Sequence, residues 1–306
     1  MRKWQIATAL LSLGGLSAGS GSAAHAQRLV DWPVRVSVGA EASISGAGAV
    51  FWNPAALRRE ELLVDALLVD VRTPGDLGVR SLGAAATYSV QRTTFGVGYR
   101  HASVDGIPLT EGPPVTGTPT EISVGEDEFI LAATQALNPG ISIGATARYL
   151  RTAFSDVDEN GLAIGAGVDL HPALPWKLQL SGFAFSESDG LAWGVGAEVE
   201  VPRWLGADYA FRASYGARGN DREPAMLHRV AGMLEWRNRA TIGAALVREP
   251  DVENASWQPA LAASLRLSRY TVGIVREQLP NDFGATYALR LQFGLGRERD
   301  RSRSDN

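Results

Sequence analysis

The 306-residue chain contains no cysteine, which excludes a disulfide scaffold and thiolate chemistry. Histidine is scarce: His25, His101, His171 and His228 lie far apart, with no His-x-x-x-His spacing, so no metal site is expected. There is no Walker loop, and the glycine-rich run Gly161 to Gly167 is not followed by a helical pattern, which removes the dinucleotide-binding reading and leaves no expected cofactor. Charge of neither sign dominates. A formal net charge of −4 holds no basic excess for nucleic acid and no acidic block. Beyond residue 27 no stretch approaches the ~18 continuous apolar residues of a membrane-spanning helix.

Glycine, in contrast, is abundant, at 34 residues. The first residues read as an export signal. Arg2 and Lys3 precede an apolar run from Ile6 to Leu16, and Ala24-His25-Ala26 forms an A-x-A cleavage site, so residues 1–26 are expected to be removed and Gln27 to begin the mature chain.

From about residue 62 to 293 the pattern has period 2. Ile141, Ile143, Ala145, Ala147 and Tyr149 share one face, opposite Ser142, Gly144, Thr146, Arg148 and Leu150. Leu191, Trp193, Val195, Ala197 and Val199 oppose Gly194, Gly196, Glu198 and Glu200, and Tyr209, Phe211, Ala213 and Tyr215 oppose Arg212, Ser214, Gly216 and Arg218. Successive side chains on a strand point to opposite faces, so each segment has an apolar face and a polar or tiny one. A soluble sandwich alternates too, but these runs are of the ~9–11 residues a tilted strand needs to cross a bilayer. The aromatics Tyr88, Tyr149, Trp176, Trp236, Tyr270, Tyr287 and Phe293 fall near the ends of apolar faces, where interfacial girdles lie.

Strands are predicted at 62–71, 80–90, 93–103, 127–137, 140–152, 160–170, 176–185, 191–200, 207–217, 226–236, 240–248, 258–267, 269–277 and 283–293. Their connections alternate in character. Gln91-Arg92, Asn138-Pro139, His171 to Pro175, Val201 to Gly206, Arg237 to Arg239 and Ser268 are short. Arg72 to Val79, Val104 to Glu126, Ala153 to Glu159, Ser186 to Gly190, Arg218 to Ala225, Glu249 to Trp257 and Gln278 to Asp282 are mostly longer and polar. Short periplasmic turns and longer outer loops are the habit of outer-membrane barrels. The expected fold is therefore all-β: a transmembrane antiparallel β-barrel of about fourteen strands over 62–293, preceded by a small N-terminal plug at 27–61 and followed by a charged, disordered tail at 294–306. Ala285, Tyr287, Leu289, Leu291 and Phe293 resemble the C-terminal recognition strand of such barrels, although the chain continues to Asn306.

The plug segment carries a Gly/Ala/Ser run from Gly39 to Ala49, then Phe51-Trp52-Asn53-Pro54-Ala55-Ala56-Leu57. Asn53 can cap a helical turn and Pro54 suits its first position, which predicts one short turn reaching about Arg59. A Gly/Ala-rich stretch leading into W-N-P-A-A-L shortly after a signal peptide resembles the start of PorV/PorQ-type proteins, relatives of the FadL-type outer-membrane transporters. The resemblance covers residues 39–57, with Gly46, Ala47, Gly48, Asn53, Pro54 and Ala55 matching the motif region. It implies a plug carrying the N-P-A motif ahead of a fourteen-stranded barrel in the cell outer membrane. It also implies one of two roles: passage of hydrophobic small molecules through the barrel wall, or a non-conducting docking component of a type IX-like protein secretion complex. Gly46, Gly48, Trp52, Asn53, Pro54 and Ala55 are then the plug or gate candidates.

The inward-facing charges Arg148, Glu198, Glu200, Arg212, Arg266 and Arg290 are candidates for a lumen network, serving either as a polar path or as structural pairs. His101 with Asp105 is the nearest approach to a catalytic pair, but a rim residue at the membrane interface is the plainer reading and no enzyme activity is expected. Asp156, Asp158 and Glu159 could hold Ca²⁺ in an outer loop, although a solvated acidic loop is commoner. The expected partners are the lipid bilayer, hydrophobic small molecules or secreted proteins, and the barrel-assembly machinery, with no nucleic acid.

Overall fold

The computed structural model describes residues 37–58, 62–73, 78–108, 121–154, 157–174, 176–187, 190–202, 208–221, 226–248, 257–278 and 284–296. The expected signal peptide and residues 297–306 lie outside the described residues, while 294–296, expected to begin the disordered tail, continue the last strand.

Fourteen strands form one antiparallel sheet: β1 (Leu62–Arg72), β2 (Val79–Val90), β3 (Thr93–Pro108), β4 (Glu121–Asn138), β5 (Ile141–Phe154), β6 (Val157–Leu170), β7 (Lys177–Glu187), β8 (Gly190–Pro202), β9 (Tyr209–Asn220), β10 (Met226–Trp236), β11 (Ala240–Arg248), β12 (Gln258–Leu267), β13 (Tyr270–Gln278) and β14 (Ala285–Gly296). Each strand pairs with its sequence neighbours, and β14 pairs with β1 to close the barrel. Closure leaves neither the first nor the last strand as a free edge, as a sheet needs if its backbone groups are to be satisfied in hydrocarbon.

The barrel is inside-out relative to a soluble protein. Leu131, Leu162, Ile164, Ile242 and Leu289 are among the large apolar side chains more than half exposed on the outer face. Arg100, Glu126, Glu128, Arg148, Asp169, Arg229 and Glu277 are buried on the inner face. An apolar exterior this continuous would aggregate in water but is solvated by lipid tails. The alternation read from the sequence maps onto these faces: Ile141, Ile143, Ala145, Ala147 and Tyr149 are exposed, while Thr146 and Arg148 are buried.

The predicted strand ends differ from the observed ones. β3 runs on to Pro108, β4 starts at Glu121, and β5 and β6 meet through the register Thr152↔Glu159, Ala153↔Asp158 and Phe154↔Val157. The expected loops Ala153 to Glu159 and Ser186 to Gly190 therefore shrink to residues 155–156 and 188–189. Apolar alternation is required only where strands touch lipid, whereas the hydrogen-bond ladder needs no apolar side chains and continues above the bilayer. At the opposite end the turns are tight. Arg237 and Asn238 both take left-handed backbone angles, φ 49° and 53°, in the β10–β11 turn, as hairpin turns matched to strand twist require.

Residues 37–58 sit inside the barrel as three short 3-10 turns, Glu41–Ser43, Gly46–Phe51 and Pro54–Ala56, joined by extended residues. The sequence predicted only the last of these. Its cap is as expected: Asn53 Oδ1 accepts from the Ala55 N–H at 3.0 Å and Pro54 takes the first helical position.

Candidate functional site in the barrel lumen

The plug and the inner wall touch through glycine. A Cβ on Gly144 of β5 would lie 2.3 Å from the carbonyl carbon and oxygen of Pro54, and one on Gly167 of β6 would lie 2.1 Å from Asn53 Oδ1. Gly96 and Gly98 of β3 make the same kind of room for Val50, and Gly216 of β9 makes it for Ala40. These inward-facing glycines, unremarkable as sequence, form the mould into which the plug is pressed. Within it, Asn53 is fully buried. Its Nδ2 donates to Ala42 O at 3.1 Å and to Val168 O at 3.2 Å, tying two parts of the plug to β6. The Thr134 hydroxyl of β4 donates to Pro54 O.

Gly46 opens its turn at φ 72°, a left-handed angle that favours glycine. Next to it the Ala47 N–H donates at 2.9 Å to Asp65 Oδ2 of β1, and Gln292 Nε2 of β14 donates to both oxygens of that carboxylate, at 2.8 and 2.9 Å. A carboxylate can be buried here because the plug and the closing strand supply donors to it. Gly48 and Ala55 are buried in the same packing. Trp52 faces Phe183 of β7 with ring centroids 6.4 Å apart, and Phe183 stacks on Phe185 at 5.2 Å. Arg148 lies over the Phe185 ring at 4.1 Å and Arg218 over Trp52 at 5.3 Å.

The single charge network expected from the sequence resolves into three groups. The first brackets the plug: Glu128 of β4 receives Arg100 at 3.0 Å and Arg148 at 3.1 Å, and Arg148 also donates to Phe51 O at 2.9 Å. The second crosses the lumen. Arg229 of β10 pairs with Glu277 of β13 at 3.2 Å, although β11 and β12 stand between those strands in the wall, and it reaches Glu41 of the plug at 3.6 Å. The third lies at the mouth opposite the longer loops. Lys177 meets Glu200 at 2.6 Å, Arg212 meets Glu200 at 3.2 Å, and Arg212 also bonds Glu235. Of the predicted members, Glu200 and Arg212 are joined to each other. Arg148 belongs to the plug bracket, and Arg266, without a carboxylate partner among the described residues, lines the mouth beside Glu198 and Arg290. Arg100, Glu128, Arg229, Glu277, Glu41 and Asp65 were missed, although strand parity alone places the wall members of this set inward.

That mouth holds a cavity of about 420 Å³, lined by the plug from Ser37 to Gly48 and by β1 and β7–β14, with no residue of β2–β6. The later turns of the plug fill the β2–β6 half, and the free space lies along the other half. The cavity is bordered by the charged side chains of Lys177, Glu198, Glu200, Arg212, Arg266 and Arg290.

Two other candidates stand as follows. His101 bonds Asp127, directly opposite it on β4, at 3.0 Å, while the side chain of Asp105 lies outside the described residues. Asp158 and Glu159 are strand residues, Asp158 is taken up by Arg151 at 2.8 Å, Asp156 lies outside the described residues, and no metal-holding cluster occurs among the described residues. Gly140-Ile141-Ser142-Ile143-Gly144 spells G-x-S-x-G but runs from a turn into β5, not into the helix a nucleophile elbow needs. Asp169, opposite Ser142, is bonded by His171, Gln179 and Ser181.

The fold matches solved outer-membrane proteins at low sequence identity. The Pseudomonas putida toluene transporter TodX aligns with a TM-score of 0.56 at 10% identity, covering 83% of this chain and 94% of that one. The Ralstonia pickettii toluene transporter TbuX gives 0.52 at 11%, covering 82% and 94%. Omp33, an outer membrane protein of Acinetobacter baumannii, gives 0.52 at 11%, covering 77% and 99%. No protein-family model matches the chain, and no curated protein is similar to it in sequence. The likeness is one of fold: a closed barrel of the outer-membrane kind.

Proposed function

We propose that this chain is a plugged channel of the outer membrane, of the FadL/PorV type, that passes hydrophobic small molecules through the side of its wall between β6 and β7. The observation that carries the reading is the ladder at that seam. β6 and β7 share only six residue pairs, Gly165↔Phe185 to Leu170↔Leu180, whereas β5 and β6 share fourteen. Above Gly165, β6 continues for eight residues from Val157 to Ile164 without a backbone partner on the β7 side. The Ser186 hydroxyl substitutes there, bonding Ile164 N at 3.2 Å and Ile164 O at 3.3 Å. An incomplete ladder is the cheapest place to part a barrel wall, since few hydrogen bonds are lost.

The flanks of the seam suit an apolar solute. Leu162 and Ile164 face lipid on the outside, and Phe183, Phe185 and Trp52 line the inside. The axial mouth, in contrast, is bordered by charged side chains. Toluene transport by TodX and TbuX, which share the fold, supports a small hydrophobic cargo.

The absence of cysteine makes the test clean. Ile164→Cys with Ser186→Cys places a reversible staple across the seam. Uptake of radiolabelled toluene by cells carrying the oxidised protein is expected to fall to the level of cells without it, and to return on reduction. Equal uptake with the staple closed refutes the side-wall route and turns attention to docking of secreted proteins on the outer loops.

A further inference from the structure

On the lipid face, near the ends of the strands that bear the longer loops, one register row crosses five consecutive strands through the closure of the barrel. Arg276 of β13 stands opposite Tyr287 of β14, Tyr287 opposite Arg72 of β1, Arg72 opposite Arg80 of β2, and Arg80 opposite Ser103 of β3. Every side chain in the row carries a donor and none is a carboxylate. Strands about 4.8 Å apart make the row roughly 19 Å wide.

Arg72 and Arg80 are the unusual pair. Directly opposed side chains have Cβ atoms about 4.5–5.5 Å apart, and like charges at that spacing destabilise a sheet. Both arginines are exposed, and the row is poorly neutralised. Asp70 bonds Arg72 at 2.9 Å, Arg276 bonds the neutral Gln278 at 3.2 Å, and Arg80 has no acidic partner among the described residues. Among the described residues, the three guanidiniums are met by the single carboxylate of Asp70. One step toward the bilayer centre the next row reads Ile274, Leu289, Asp70, Leu82 and His101, so exposed apolar side chains flank the carboxylate that holds Arg72, and Leu68 lies one step further. A cationic row with hydroxyls, directly above an acyl-chain surface, is complementary to an amphiphile with a phosphate head. The planar fork of arginine binds phosphate through paired hydrogen bonds.

We propose that Arg72, Arg80 and Arg276, with Tyr287 and Ser103, form a binding site for the phosphate group of a phosphorylated glycolipid of the outer leaflet. The phosphate sits between Arg72 and Arg80, and the acyl chains lie on Leu82, Leu289 and Ile274. The inference rests on the outer-membrane orientation proposed above, with the longer loops outside.

The test compares the full-length protein with an Arg72→Gln/Arg80→Gln variant, both extracted from outer membranes in mild detergent and weighed by native mass spectrometry. Arg151→Gln, which removes a lipid-face arginine already paired with Asp158, is the control. The wild type and the control are expected to retain phosphorylated glycolipid, and the double variant to lose it at least about tenfold, as the loss of charge-assisted contacts implies. Equal retention in all three, with each still sedimenting with outer membranes and shifting on a gel when boiled, overturns the site and leaves the barrel reading intact. Failure to sediment with outer membranes overturns both. Inorganic phosphate added in excess is expected not to displace the lipid; displacement by free phosphate alone shows that the row selects the ion rather than the lipid, and also overturns the proposal.

Discussion

Gly144 and Pro54 are in contact so close that residue 144 has no room for a side chain: a Cβ there would stand 2.3 Å from the Pro54 carbonyl. The plug is seated by what the wall lacks. Gly144→Val is therefore expected to unseat the N-P-A turn and leave the barrel closed, since β5 keeps its ladder to both neighbours. Overpacking of this kind costs ~1–3 kcal/mol. Planar-bilayer recordings test it: the variant should show conductance steps absent from the wild type, and unchanged currents would mean that the plug tolerates the intrusion.

Asn53 holds the same turn by hydrogen bonds, accepting from Ala55 and donating to Ala42 and Val168. Asn53→Ala leaves these buried groups unpaired, at ~1–3 kcal/mol. Hydrogen exchange is the appropriate readout. Protection should drop in residues 41–57 and stay as it was in β10–β13; a uniform loss would indicate that the barrel depends on the plug for its own stability.

Arg229 is buried to 1% exposure and joins Glu277 to Glu41 across the lumen. Arg229→Met takes the counter-charge away from two buried carboxylates, an operation that costs ~3–5 kcal/mol when one partner of a buried pair is removed. Adding Glu277→Leu should restore part of the loss. Urea unfolding in lipid vesicles measures both, and a double variant no more stable than the single would show that the pair does not act as a unit.

Outside the strands, Asp208 accepts from Arg237 at 2.9 Å, and that guanidinium lowers the carboxyl below its ordinary range. The sign follows from linkage. A carboxylate more acidic when folded adds its stability above the unfolded value and loses it as pH falls through the folded one. The residue is fully exposed, so the effect on stability is small. Carbon NMR in micelles should find Asp208 titrating below aspartates without a cationic partner, and Arg237→Gln should bring it back among them.

The barrel was legible because a strand's two faces have period 2 and lipid enforces that period on one of them. Its ends were not, because Thr152 to Phe154 and Val157 to Glu159 extend the ladder where no lipid imposes a pattern. Asn53-Pro54 announced its turn through local chemistry alone. The seat of that turn was hidden, since Gly96, Gly98, Gly144, Gly167 and Gly216 lie far apart in the chain and converge only when the sheet closes around the plug. The charges were hidden for a related reason. Parity says which side chains point inward, but not that Arg229 would reach across two intervening strands to Glu277 while Arg212 stayed with its neighbours on β8 and β10.

Leu57, the last buried residue of the plug, is separated from Leu62, the first residue of β1, by residues 58–61 alone. A leash this short spans at most about 18 Å when drawn straight. An unseated plug would therefore hover at its own doorway, and its return would be a first-order event, governed by effective rather than bulk concentration. Any open interval would end spontaneously, at a rate independent of how many copies the membrane holds.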